Sequence, residues 1–406
     1  MSATADPGRF ETLDFLRGAA VMGILVANLP AFGLPEAAYF SPAAWGGTAP
    51  ADVAAWFATY VLIEGKMRGL FSLLFGASML LVIQRAESAG QSGAAAHLRR
   101  MAWLFAIGCL HLYGLWSGDI LAHYALCGAV ALLFVRLSVR ALMAAALCLI
   151  AWEVVQWAGL YVAVLDAQAN AGAGGQPLLA SMAKGFGVPP PEHLAGELAA
   201  YRGTYAHAVA WRWEHATSPF AFLLVLGPET LATMLLGMAG LKSGFLTGAW
   251  ARARYARWAA VGLALSLPVY AAAGLHTIAG GFALDDVVLG AMALPTVLRT
   301  PAIIGYAALG MLLMRPGGWL TRRIAAAGRA AFTNYLGTSL VMTMIFYGYG
   351  ADLFGRLSRA DLYWFVLPAW AAMLAWSQPW LARYRYGPLE WLWRSLARSR
   401  IEAFKR

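Results

Sequence analysis

The sequence predicts an all-α polytopic membrane protein, and three observations carry that prediction. The chain is 61% hydrophobic and only 12% charged, whereas a soluble domain carries roughly 25% charge and about 45–50% apolar residues. Apolar runs of about 20 residues recur along its whole length, each long enough to cross roughly 30 Å of hydrocarbon. Basic residues gather in alternate loops between those runs. Lipid offers no water to satisfy a bare backbone, so the runs must be helices.

Spacing and hydropathy place about ten spans, near 16–34, 68–84, 101–117, 119–135, 140–163, 217–241, 257–276, 288–313, 330–349 and 362–382. Basic clusters follow spans two, four, six, eight and ten, among them Arg99 with Arg100, Arg136 with Arg140, and Arg322, Arg323 and Arg329. The alternate loops are acidic or nearly neutral, as at Glu36 with Asp52 and at Asp285 with Asp286. The positive-inside rule then puts both termini in the cytoplasm. Residues 52–66 are apolar but short and end in Glu64 and Lys66, which predicts an interfacial or re-entrant helix. Residues 164–216 form a long polar segment. Its last part, "YRGTYAHAVAWRWEH", predicts a helix lying at the outer surface. The chain thus divides into an N-terminal membrane half, 1–163, an extracytoplasmic loop, 164–216, and a C-terminal membrane half, 217–406.

The net charge of +10 does not indicate nucleic acid, because the basic residues sit between membrane runs and no aromatic-basic reading module is present. Cys109, Cys127 and Cys148 lie inside apolar runs at spacings that match no zinc or redox motif, so no metal is expected. The start of the chain lacks the basic-then-apolar order of a cleavable signal, which predicts that the first helix stays as an anchor.

Polar groups within membrane runs are costly and therefore candidate site residues. Asp14 and Arg17 stack on one face of span one, and Asn28 lies near its outer end with an amide able to donate and accept. "EGKMRGLFSLLFG" sets Glu64, Lys66 and Arg68 at the outer end of span two, a cluster suited to an anionic substrate or to a plain solvated boundary. "LHLYGLWSGDILAHYAL" carries His111, Asp119, His123 and Tyr124. Asp119 and His123 are four apart and share a helical face, the arrangement of an oriented general base; Asp119 also suits a helix cap. Glu153 and Arg299 are opposite charges without local partners, a candidate pair, and Glu229 and His276 are further candidates.

These stretches resemble the YeiB-like family of bacterial membrane proteins, whose C-terminal part is a domain of unknown function. The resemblance rests on "LDFLRG…GILVAN", "EGKMRGLFSLLFGAS", "LHLYGLWSGDILAHYAL", "MLLGMAGLKSGFL", "AAAGRAAFTNYLGTS" and "YRYGPLEWLWRSL", which keep their order nearly end to end. The family is in turn remotely similar to transmembrane acyltransferases such as the heparan-glucosaminide N-acetyltransferases. That likeness implies acyl transfer from cytoplasmic acetyl-CoA or another acyl-CoA to a hydroxyl or amine acceptor at the outer face. It makes Asn28 part of the transfer site, yet Pro42 stands where those enzymes place a histidine base. Another base is then required, and His111, His123 and Glu64 are the ranked choices. Asp14, Arg17, Arg99, Arg100, Arg329 and Asn334 are the expected donor-binding residues, and Lys66, Arg68, Glu153 and Tyr124 the expected substrate-binding ones. Expected partners are membrane lipids, a small-molecule or lipid/glycan acceptor, and a second copy in a homodimer, in the bacterial inner membrane. A transporter or binding protein for a small amphiphile or lipid is the alternative.

Overall fold

The computed structural model describes residues 10–170 and 175–406. Within them the chain is helical, and the sole strand-like feature is a bridge between Tyr384 and Lys405. The helices run in order: α1 Glu11–Gly33, α2 Pro50–Leu62, α3 Lys66–Ser88, α4 Gly93–Gly114, α5 Leu121–Ala131, α6 Val139–Ala169, α7 Gln176–Phe186, α8 Pro191–Tyr201 and α9 Tyr205–His215. They continue as α10 Pro219–Lys242, α11 Arg252–Ala279, α12 Leu284–Val288, α13 Leu294–Leu313, α14 Trp319–Arg329, α15 Ala331–Phe346, α16 Arg359–Leu362, α17 Val366–Arg383 and α18 Pro388–Ala397.

Each predicted span falls on a helix. Six stretches are long and apolar enough to cross a membrane: Glu11–Gly33, Pro50–Ser88, Val139–Ala169, Pro219–Lys242, Arg252–Ala279 and Leu284–Leu313. Leu121–Phe134 and Ala331–Phe346 are apolar but shorter. This is a helical membrane protein. Its outer surface carries the apolar side chains lipid requires; α6, for example, exposes Leu147, Trp152, Val155 and Val162.

Hydrogen bonds tie alternate loops together at two ends of the bundle. At the basic end, Lys242 Nζ donates to the Val135 and Leu137 carbonyls, at 2.8 and 2.6 Å, and Trp393 Nε1 donates to Arg100 O. At the opposite end, Gly355 N donates to Gly33 O, Arg202 Nε to Phe354 O, and Gly348 N to Tyr201 O. Where α3 and α10 cross, a Cβ on Gly76 would lie 2.0 Å from Met234 O, and one on Gly237 would lie 1.8 Å from Leu73 O. Small residues here let two backbones touch, the dispersion-driven packing that replaces the hydrophobic effect within lipid.

The segment predicted as a loop with one surface helix holds three helices, α7 to α9, and α6 extends into it as far as Ala169. Residues 171–174 of its Gly- and Ala-rich stretch lie outside the described residues. Its last helix does more than cover the surface. Arg212, 0% exposed, donates to the Tyr113 and Gly114 carbonyls and so closes the C-terminus of α4. α14 was not expected from hydropathy; it is a separate helix between α13 and α15, packed on α1 and α17. From the tail, Glu390 on α18 accepts from the Phe332 and Thr333 N–H groups, at 2.7 and 3.1 Å, capping the start of α15.

Glu197 on α8 is 5% exposed and accepts from the Glu36 N–H at 2.9 Å. Burial pushes its pKa from 4.5 up to about 8; the Glu36 N–H opposes the shift and the Glu36 charge adds to it. The folded state therefore holds a proton that the unfolded chain has already released. Stability should fall as pH rises from about 4.5 through about 8 and then level off. Thermal unfolding in detergent from pH 5 to 9 should show that slope, and Glu197→Gln should flatten it.

Candidate functional site

Among the described residues, two polar clusters and two small pockets stand out. The first cluster is built by the turn from α4 to α5. His111 is in the last turn of α4, and the turn folds back so that Asp119 Oδ1 meets its Nδ1 at 2.8 Å. Asp119 Oδ2 accepts from Ala122 N at 2.8 Å, so both oxygens are held and the carboxylate caps α5. The turn is pinned to α1: the Trp116 ring stacks on Phe32 at 4.0 Å, and its Nε1 donates to Ala31 O at 3.2 Å. His111 is 4% exposed and its Nε2 has no partner. The Tyr335 ring stands 5.5 Å from the imidazole. Tyr335 also lines a small pocket, together with Asn28, Thr338 and Ser339. The His–Asp dyad and Asn28 are thus both brought near one tyrosine.

The expected Asp119–His123 pairing does not form. Asp119 precedes α5 rather than belonging to it, so helical spacing does not govern its direction. His123 instead directs Nε2 to Thr230 Oγ1, at 2.9 Å. That contact belongs to the second cluster. Glu229 Oε2 accepts from Arg299 Nη1 at 2.6 Å and from Arg68 Nη2 at 2.9 Å. The expected Glu153–Arg299 pair is therefore replaced by Glu229–Arg299. Glu153 lies near the same cluster, close enough for the charges of Glu229, Arg299 and Arg68 to act on it, but it forms no ion pair there; it accepts from Trp157 Nε1 at 3.3 Å, and its Oε2 has no hydrogen-bond partner. Tyr124 exchanges a hydrogen bond with Ser72 at 2.7 Å and donates to Arg68 O, which fixes the backbone of that arginine.

Between α2 and α3, Gly65 has φ +67°, and a Cβ there would sit 2.4 Å from Arg299 Nε. This break aims Glu64 and Lys66 in different directions. Lys66 is 0% exposed; Nζ donates to Tyr60 O at 2.9 Å and lies 3.4 Å from the centre of the Tyr270 ring. It is a buried tie between helices, not a free substrate contact. Glu64 is half-buried and lines a second, small pocket with Tyr39, Phe40, Trp56 and Tyr60. Gly65→Ala should lower the melting temperature well beyond Gly90→Ala. Gly90 has φ +71° with open space around it, so that variant isolates the backbone cost of about 1–2 kcal/mol. Equal shifts in the two variants would remove the Arg299 contact from the account.

The expected donor-binding residues divide. Arg17 Nη1 pairs with Asp14 at 3.2 Å, and Nη2 donates to Ser78 Oγ at 2.7 Å. Arg100 stacks on the Trp393 indole at 4.1 Å, and Arg394, Arg398 and Arg17 are close enough for their charges to act on it. Arg99 is exposed, and Arg329 donates to Arg385 O. Asn334 is fully engaged: it donates to Ala327 O and Ser377 Oγ and accepts from Trp376 Nε1. Its amide ties helices together. Among the described residues, no group of three or more His, Cys, Asp or Glu side chains is placed to hold a metal ion.

Sequence reasoning passed over Tyr335 and Thr230. Tyr335 lies in a stretch already singled out, "AAFTNYLGTS", where the neighbouring Asn334 drew the attention.

The family described as "Protein of unknown function (DUF418)" matches residues 241–400. The chain is 33% identical over 399 residues to the uncharacterized protein YeiB of Escherichia coli strain K12, covering 96% of each. It is 29% identical over 407 residues to the uncharacterized protein YxaH of Bacillus subtilis strain 168, covering 95% of this chain and 94% of that one. A 39.9 kDa protein encoded in the amylase 3' region of Bacillus acidopullulyticus is 25% identical over 392 residues, covering 97% of this chain and 94% of its own. No solved structure matches.

Proposed function

The chain belongs to the YeiB-like family, and from that premise we propose that it is a transmembrane acyltransferase of the bacterial cytoplasmic membrane. It takes an acyl group from an acyl-CoA at the basic end and gives it to a hydroxyl or amine at the opposite end. The observation that carries this reading is the buried His111–Asp119 dyad with His111 Nε2 unpartnered. Asp119 accepts a hydrogen bond from Nδ1–H, which leaves the lone pair on Nε2. That nitrogen takes the proton of the acceptor as its oxygen or nitrogen attacks the acyl carbon. The Asn28 amide donates to the developing oxyanion. The thioester C–S bond then breaks, and the leaving thiolate recovers the proton. His111 on α4 thus takes the part that Pro42 cannot.

The arginines at the basic end support the donor half of the reading. Arg17, Arg100, Arg394 and Arg398 gather there, and guanidinium groups suit phosphate recognition. Calorimetry with acetyl-CoA on the purified chain in detergent should give saturable heat. [¹⁴C]Acetyl-CoA should release free thiol slowly to water and faster to a membrane extract that supplies an acceptor. Neither heat nor a thermal shift with acetyl-CoA would overturn the reading.

A second reading, a transporter or binding protein for a small amphiphile or lipid, has its own observation. Glu153 Oε2, Glu229 Oε1 and His123 Nδ1 are buried in the bundle without partners, and intramembrane ionisable groups commonly mark a pathway. Proton-coupled uptake that is lost in Glu153→Gln and retained in Asn28→Ala would favour it.

A further inference from the structure

α14 is the element that neither hydropathy nor acyl transfer accounts for. Its 11 residues, Trp319–Arg329, reach about 16 Å, too short to cross roughly 30 Å of hydrocarbon. One face is fixed to the protein. Ala325, Ala326, Ala327 and Gly328 are buried; a Cβ on Gly328 would lie 1.9 Å from Asp14 O, and one on Gly18 of α1 would lie 2.0 Å from Ile324 O. α14 therefore lies backbone to backbone on the start of α1, where Arg17 joins the arginines of the basic end. The connection from α13 is tight: Gly318 N donates to Arg315 O at 2.8 Å, and Arg315 N donates to Thr321 Oγ1 at 3.1 Å. Leu313 ends a stretch able to span, so the first turn of α14 sits at the level where the hydrocarbon stops.

The other face of that turn points away from the protein. Trp319 is 63% exposed and Leu320 52%, and Leu313 just before the turn is 63% exposed. Arginines share this surface. Arg315 and Arg322 are exposed and, among the described residues, pair with no carboxylate. The Arg323 guanidinium lies 4.7 Å from the centre of the Trp319 ring and donates to Leu374 O at 3.0 Å, so the indole is held in place by a cation that is itself tied to α17. The neighbouring sequence supplies no acid: from Val287 to Ala351 there is no Asp or Glu. Large apolar groups facing outward beside uncompensated cations, at the edge of the hydrocarbon, fit an anionic phospholipid. Its acyl chains cover the indole and the leucine, and its phosphate meets the arginines. Water would leave the apolar groups bare, and a zwitterionic lipid would bring no net charge to the arginines.

We propose that the first turn of α14 is a docking surface for anionic phospholipid in the leaflet at the basic end, with Trp319 and Leu320 among the upper acyl chains and Arg315 and Arg322 on the headgroup phosphate. α14 is then an amphipathic helix lying in the interface plane rather than a span. The inference goes beyond acyl transfer and does not depend on it, because the test contains no acyl donor. A soluble partner or a second copy of the chain would cover the same groups, and the test separates both from lipid.

The reporter is an NBD fluorophore on Leu320→Cys, in the full chain with Cys109, Cys127 and Cys148 changed to alanine, reconstituted in phosphatidylcholine vesicles. The quenchers are phosphatidylglycerol and phosphatidylcholine, each spin-labelled near the top of one acyl chain and added at the same mole fraction. Both should quench, phosphatidylglycerol at least about threefold more strongly at low ionic strength. Added salt should shrink that ratio as it screens the arginines. Arg315→Gln with Arg322→Gln changes two exposed side chains and should bring the ratio close to one, while quenching by phosphatidylcholine persists. The same fluorophore on Val155→Cys, an exposed position in the middle of α6, should show no preference between the two lipids. Equal quenching by the two lipids at position 320 would overturn the proposal, as would a phosphatidylglycerol preference that survives loss of both arginines. Quenching by aqueous iodide and by neither lipid would give the surface to solvent or a soluble partner, and an interchain disulfide through Leu320→Cys would give it to a second copy; either result overturns lipid docking.

Discussion

Glu229→Ala should destabilise the fold by about 3–5 kcal/mol, the usual cost of breaking a buried ion pair from one side. The size follows from what remains. Glu229 on α10 is 4% exposed, and its Oε2 is the common acceptor for Arg299 on α13 and Arg68 on α3. Alanine would leave two guanidinium groups facing each other in the interior without the carboxylate that pairs with both. The loss would also disconnect three helices that meet at one oxygen. Glu229→Gln keeps the volume and one acceptor oxygen but not the charge, so it should fall between wild type and Glu229→Ala. Glu229→Leu and Arg299→Leu should each be costly alone, yet the double variant that combines them should lose less than the sum of these two single changes. Thermal unfolding in detergent, followed by tryptophan fluorescence, measures all five. Additive losses, or a Glu229→Ala shift no larger than that of a surface substitution, would remove this cluster from the stability account.

The same cluster shows where a sequence stops being legible. The helices could be read because lipid imposes one rule on every span, and hydropathy records it locally. Pairing is different. Nothing near Arg299 names Glu229, 70 residues earlier, as its partner; charge sign alone left Glu153 equally eligible. Asp119 misled for a different reason. Its spacing to His123 is helical, but Leu121 is the first residue of α5, so Asp119 sits in the turn and points back to His111. Periodicity speaks only for residues already inside the helix. Asn334 and Tyr335 show a third limit. Adjacent residues on a helix face different neighbours, and the polar one proved to be a helix tie while the aromatic one lines the pocket with Asn28. Arg212 was read as part of a surface helix, and only the packing reveals that its guanidinium closes α4 next to His111. Composition fixes a segment's solvent; the contacts that build a site depend on which helices meet.

His111→Ala should lower acyl-CoA-dependent transfer by about 10²–10⁴-fold, the usual contribution of a positioned general base. The fall should appear in kcat, with acetyl-CoA affinity unchanged by calorimetry, because the donor's charged part is assigned to arginines at the other end of α4. Asp119→Asn is the sharper experiment. It preserves the shape of the carboxylate, but its amide can present an N–H to His111 Nδ1. The ring would then carry its proton on Nε2, the atom that must accept one, and the rate should drop nearly as far as in His111→Ala. If Asp119 served only to cap α5 through Ala122 N, Asp119→Asn would instead cost little activity, since asparagine caps as well as aspartate. Asn28→Ala should lose about 10²-fold, as expected for removal of one oxyanion donor, and His123→Ala, facing Thr230, should leave the rate near wild type. A His123→Ala variant that loses activity while His111→Ala keeps it would move the base to the Arg68–Glu229 cluster and with it the path of the acceptor, because that cluster borders Glu64 rather than Asn28.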